Sequence, residues 1–79
     1  MRKVNITYKD ARNHDILMYT QFLPETVQDA ILLGLNFTTN NIQVNPNEIT
    51  QDMVTTYYNQ QKAVLALMGI TKDHRGNPL

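Results

Sequence analysis

Two pairs of carboxylates, Glu25 with Asp29 and Glu48 with Asp52, stand four residues apart. That spacing puts both members of a pair on one face of a helix. Two carboxyls so placed could share general acid and base work. Their position near expected helix starts gives a simpler account, because the positive end of the helix dipole favours negative charge there. The rest of a catalytic set is missing. The chain contains no cysteine and no serine, so a nucleophile would have to be Thr or Lys, activated by a partner in a cleft. His14 and His74 lie 60 positions apart, with Asp15 and Asp73 beside them, and show no H-E-x-x-H spacing. Gly34, Gly69 and Gly76 are isolated and form no phosphate-cradling loop. These residues predict a protein that is not an enzyme and needs no metal or cofactor.

Nucleic-acid binding has more in its favour. Arg2, Lys3, Lys9 and Arg12 crowd the N-terminal stretch around Tyr8, and Lys72 and Arg75 follow near the C-terminus. A basic β-hairpin can enter a groove and an aromatic can stack on a base. Against this, seven basic and seven acidic side chains cancel, whereas affinity for nucleic acid rests on phosphate neutralisation. The signs are segregated along the chain. With Asp10 counted, residues 1–13 carry +3. Residues 14–61 hold Asp15, Glu25, Asp29, Glu48 and Asp52 and no cation, giving −5. Residues 62–79 carry +2 from Lys62, Lys72 and Arg75 against Asp73. The acidic middle raises one further reading, occupation of basic sites on a partner, for which five charges make a thin imitation.

At 79 residues the chain is a single domain. A domain this small buries only roughly 60% of its unfolded surface, and without disulfides or metal it needs a well-packed core or a partner. Charged residues are 18% of the chain; nine Asn, nine Thr and six Gln supply most of the polarity. That composition resembles proteins of AT-rich bacterial or phage genomes. No apolar run approaches the ~20 residues of a membrane span, and the opening residues lack an apolar signal core, so a cytoplasmic protein is expected.

Val4, Ile6 and Tyr8 alternate with polar residues as in a half-buried strand. Asp10–Asn13 reads as a hairpin loop. Ile16 to Phe22 would pair back as the second strand. It is apolar on both faces, which predicts a central or covered strand. Pro24 with Glu25 predicts a helix start, with Val27, Ala30, Ile31 and Leu35 facing the core and Leu32 and Leu33 off that arc. Residues 36–44 read as one strand or as two around Asn40-Asn41. Glu48 to Met68 reads as a long helix capped by Asn47 and stopped by Gly69-Ile70 in a Schellman turn. Its expected apolar face is centred on Ile49, Met53, Tyr57, Val64, Leu67 and Met68, with Val54, Tyr58 and Leu65 at one edge. From Ala63 to Met68 the helix is apolar nearly all round, which asks for burial on several sides.

The expectation is therefore a small α+β domain over residues 1–70: an N-terminal antiparallel hairpin, a short helix, one or two short strands and a long C-terminal helix. Residues 71–79 read as a polar tail, ordered only if something holds it. The expected function is non-catalytic: a small accessory or regulatory protein, of phage or mobile-element type, that binds a protein partner and forms a homodimer. The expected contact residues are Leu32, Leu33, Tyr58, Leu65 and Leu67. The alternative is a dimeric nucleic-acid binder using Arg2, Lys3, Lys9 and Arg12.

Overall fold

Alternation makes the first element. The computed structural model describes residues 1–79, and in it β1 (Arg2–Lys9) and β2 (Asp15–Leu23) form an antiparallel hairpin. Arg2 pairs with Leu23, Val4 with Gln21 and Ile6 with Tyr19; after a β-bulge at Ile6/Thr7 the ladder resumes with Thr7 opposite Leu17 and Tyr8 opposite Ile16. Opposed residues share a face. Val4, Ile6, Gln21 and Leu23 thus look one way, and Lys3, Asn5, Thr20 and Phe22 the other. The turn between the strands is built by Asp10, whose carboxylate accepts the N–H groups of Arg12 (2.8 Å) and His14 (2.9 Å), with Asn13 in the left-handed region at φ 63°.

The first helix, α1, spans Val27–Leu32 rather than beginning at Pro24. Thr26 takes the cap in extended conformation. Its hydroxyl accepts the Asp29 N–H at 3.1 Å, and the Asp29 carboxylate accepts the N–H groups of Thr26 and Glu25. This reciprocal capping box satisfies several otherwise orphaned donors and outcompetes a start at Pro24, which lies buried at the end of β2. Residues 36–44 form two strands, β3 (Thr38–Thr39) and β4 (Ile42–Gln43), joined by Asn40 and Asn41 with φ of 52° and 65°. Two left-handed residues in a two-residue loop make the tight turn whose twist suits a hairpin.

Pro46–Glu48 makes a single 3-10 turn, so the long helix does not start at Asn47. Ile49 is extended, and α2 runs Gln51–Leu67 with the Thr50 hydroxyl accepting the Met53 N–H at 3.3 Å. Both helices end as Schellman turns. Gly34 donates to Ile31 and Leu35 to Ala30; Gly69 donates to Ala66 and Ile70 to Leu65. Gly34 and Gly69 adopt φ of 67° and 77°, a conformation a β-carbon disfavours.

The apolar face of α2 is turned by about 100°, one residue's rotation, from the expected one. Val54 and Leu65, expected at its edge, are buried, while Leu67, expected at its centre, is 89% exposed. The line Tyr58–Gln61–Leu65 faces the hairpin, and Val54, one turn earlier on the same row, is buried outside the cluster around Leu65. Leu65 joins Val4, Ile6 and Leu23 in one buried cluster, with Tyr58, Ile70 and Leu79 packed against it. Gln61 accepts a hydrogen bond from the Gln21 side chain at 3.0 Å, so a polar pair fills the row between Tyr58 and Leu65. A hydropathy wheel turns toward the largest side chains; the structure uses the row that fits the hairpin.

This packing sets unequal costs for two helix leucines that stand two residues apart. Leu65→Ala should lower unfolding free energy by about 2–5 kcal/mol, and Leu67→Ala should change it by no more than about 0.5 kcal/mol. Chemical denaturation of the two variants measures both, and equal losses would refute this orientation of α2.

Candidate interaction surface

The first of the two carboxylate pairs is occupied structurally. Glu25 and Asp29 lie 2.7 and 3.1 Å from the Met1 ammonium, and Glu25 also lies 3.7 Å from Arg2 Nε. The Asp29 carboxyl is held below its ordinary range by the Glu25 N–H first and then by that ammonium. Asp52 borders an open depression of about 530 Å³ lined also by Asn36, Phe37, Met53 and Tyr57, with no histidine or lysine in its wall. No three of His, Asp and Glu come together as a metal cluster would require. His14 sits 3.7 Å from Asp10, and His74 Nδ1 lies 3.1 Å from the Lys3 carbonyl oxygen.

The four basic residues of the hairpin do not make one free patch. Arg2 Nη1 contacts Asp73 at 2.7 Å, and Lys9 Nζ contacts Asp15 at 2.8 Å. Lys3 and Arg12 have no carboxylate within ion-pair distance. Arg2 faces the helix side with Leu23, while Lys3 and Lys9 lie on the opposite face.

Arg2 anchors the C-terminal segment. Residues 71–79 fold into a small turn closed by a bridge between Lys72 and Pro78. The Asp73 carboxylate accepts the N–H groups of Arg75 and Asn77, both at 2.9 Å, and His74 donates its N–H to the Lys3 carbonyl at 2.9 Å. Burial pushes the Asp73 carboxyl up, but the Asn77 N–H, the Arg2 guanidinium and the Arg75 N–H together hold it below the ordinary value. The segment repeats the first hairpin's turn. In Asp10-Ala11-Arg12-Asn13-His14 and in Asp73-His74-Arg75-Gly76-Asn77, an aspartate accepts from the second and fourth residues on, and the residue after Arg is left-handed. That shared spacing is the sequence signal that the polar-tail reading passed over. Through it the outer edge of β1 is partly closed.

The outer edge of β2 is not. Residues 16–23 make no backbone hydrogen bond outside their ladder with β1. Leu17, Met18 and Tyr19 are each more than half exposed, and Ile16 and Phe22 are 36% and 45% exposed. The cover that a strand apolar on both faces demands is therefore absent from within the chain. Of the expected contact residues, Leu32 and Leu67 are the most exposed, Leu33 is half-buried at the end of α1, Tyr58 packs on the core and Leu65 is buried in it. Leu65 is thus spent inside the fold rather than on its surface. Sequence reasoning did not single out Met18, Tyr19 and Phe22 as contact residues, although their alternation with no charge was visible. No helix is long and apolar enough to cross a membrane. Comparison with protein-family models, curated proteins and solved structures gives no match.

Asp73 gives the segment a pH dependence of definite sign. A carboxyl whose folded-state value is depressed stabilises above the unfolded value, and that contribution is lost as pH falls through the folded one. In an NMR titration the Arg75 and Asn77 amides should hold their shifts through the ordinary aspartate range, about pH 4, and move only in more acid solution. Asp73→Ala should remove that transition; a transition at the ordinary value in the native chain would refute the anchoring.

Proposed function

We propose that this chain is a non-catalytic protein-interaction module, an accessory or regulatory protein that acts by covering or bridging a protein partner. One observation carries the reading. Thirteen large apolar side chains are exposed, against six buried hydrophobic residues. Isolated exposed leucines mean little, but monomers rarely leave extended apolar surface to solvent. Here the exposed residues gather on β2 and on the last turns of α2, where Val64 and Met68 are half exposed and Leu67 stands out from the core. The engagement of Glu25 and Asp29 by Met1 and Arg2 and the open form of the depressions add support, since neither supplies an activated group in a cleft. The Asn- and Thr-rich composition fits an accessory protein of phage or mobile-element type. Nucleic-acid binding is the outcome that would displace this reading; with Arg2 and Lys9 engaged by Asp73 and Asp15, two cations remain unpaired in the hairpin.

Tagged chain incubated with source-cell lysate should retain one protein in near-stoichiometric amount, with or without nuclease. A Leu32→Asp, Leu67→Asp double variant, folded by circular dichroism, should retain none. Recovery of nucleic acid instead, with binding that falls steeply as salt rises, would overturn the proposal.

A further inference from the structure

The largest depression of the molecule, about 530 Å³, lies between residues 36–38 and the first turns of α2. Its helix wall includes a polar row, Asp52, Thr56 and Gln60, each four residues from the last. Beside that row Tyr57 meets Phe37 edge to face, with ring centroids 5.9 Å apart at 76°. We propose that this depression is the seat for an arginine side chain of a protein partner. The proposal deepens the interaction reading above and rests on it for the source of the arginine.

Charge selects a cation. Five of the seven carboxylates are engaged: Asp15 by Lys9, Glu25 and Asp29 by Met1, Asp73 by Arg2, and Asp10 by the N–H groups of its own turn. Glu48 and Asp52 alone have neither an ion pair nor a side-chain hydrogen bond. Residues 14–61 contain no Lys or Arg that could serve them. Lys62 follows Asp52 by ten residues, about 15 Å along the helix. The positive end of α2 favours a carboxylate at Asp52 without neutralising it. A helix N-terminus carries roughly half a unit of positive charge, against a full negative charge on Asp52 and a second on Glu48. Unmatched negative charge therefore remains beside the depression.

The rest of the wall selects arginine among cations. Without a third ligating side chain, Glu48 and Asp52 make no metal site. A guanidinium is planar, stacks on aromatic rings and carries five N–H donors. Phe37 and Tyr57 supply rings, and Met53 supplies apolar surface for the stem. Asn36, Thr56 and Gln60 supply neutral oxygens for the donors that Asp52 leaves free. An ammonium has three donors and no plane to stack. An anion would meet Asp52, and an apolar group would take water from the polar row without replacing its hydrogen bonds. Arginine is also enriched at the contact surfaces between proteins.

The probe is N-acetyl-arginine amide, with the uncharged isostere N-acetyl-citrulline amide as control, titrated by NMR into isotope-labelled chain at low salt. The arginine compound should shift the Phe37, Tyr57 and Gln60 signals saturably, with a dissociation constant in the millimolar range. The citrulline compound should not. Asp52→Asn removes a charge and no hydrogen bond of the fold. That variant should remain folded by circular dichroism and bind the arginine compound about fivefold more weakly, the scale of an exposed ion pair. Glu48→Gln, outside the wall, should cost less. Absence of saturable shifts, equal shifts with the citrulline compound, or shifts centred on Asp10 and Asp15 would each overturn the site. So would undiminished binding by Asp52→Asn, or a loss in Glu48→Gln as large as in Asp52→Asn. Capture of a partner from lysate by a chain whose depression ignores arginine would overturn the site alone. A depression that binds arginine, in a chain that retains nothing from lysate, would leave the site and overturn the interaction reading.

Discussion

The contact of Leu65 with Val4, Ile6 and Leu23 is what makes the two ends of the chain one structure. A two-stranded hairpin is marginal alone in water, and a 17-residue helix gains most of its stability from packing rather than propensity. Each element thus depends on the other through four side chains. Leu65 is also the residue whose carbonyl receives the Ile70 N–H in the Schellman turn. That bond folds Ile70 back onto the same cluster and directs the chain toward β1, where Arg2 and Lys3 receive it. The helix stop, the core and the route of the last nine residues are one arrangement.

The polar contacts repeat that economy. Asp73 closes its own turn and binds Arg2; Asp29 caps α1 and pairs with Met1; Gln51 donates to the Glu25 carbonyl at 2.8 Å, tying the start of α2 to the entry of α1. Each spans from a turn or the first turn of a helix to a distant element. No buried side-chain polar atom is left without a partner, which matters in a small domain because an unsatisfied group costs about 1–3 kcal/mol. The same engagements hold Glu25, Asp29, Asp73 and Arg2 in structural contacts.

The elements were legible wherever a local rule decides them. Alternation gave β1, the Asp–Asn turn gave the hairpin, and Gly69-Ile70 marked the helix stop, each a matter of a few neighbouring residues. The misread features need longer-range information. Pro24 and Asn47 are both acceptable helix starts by type, but Thr26 and Thr50 win because their hydroxyls reach an N–H three residues on. The orientation of α2 depends on which row meets Gln21 and Ile6, and no wheel contains that. Residues 71–79, which read as a polar tail, fold as a turn that repeats the Asp-x-Arg spacing of the first, and its order depends on Arg2 and Lys3, some seventy residues away in sequence. On the candidate surface, Leu32 and Leu67 were readable because they break an amphipathic pattern. The open edge of β2 was not, because an edge is defined by what fails to pair with it.

Elongation alone would account for a large surface, since a body of 47 × 24 × 18 Å has more of it than a sphere of equal volume. It would not account for the chemistry of that surface. A flat domain built to stand in water would place Thr, Asn and Gln, which this chain has in plenty, at the positions that stay exposed. Instead Phe22 and Leu17 occupy the face of β2 turned away from the helix, Tyr19 and Ile16 stand exposed on the other face, and Met18 is exposed at the bulge. A two-sided apolar strand makes sense in the interior of a wider sheet, with neighbours on both edges. The first neighbour is β1. On its other edge β2 has no neighbour.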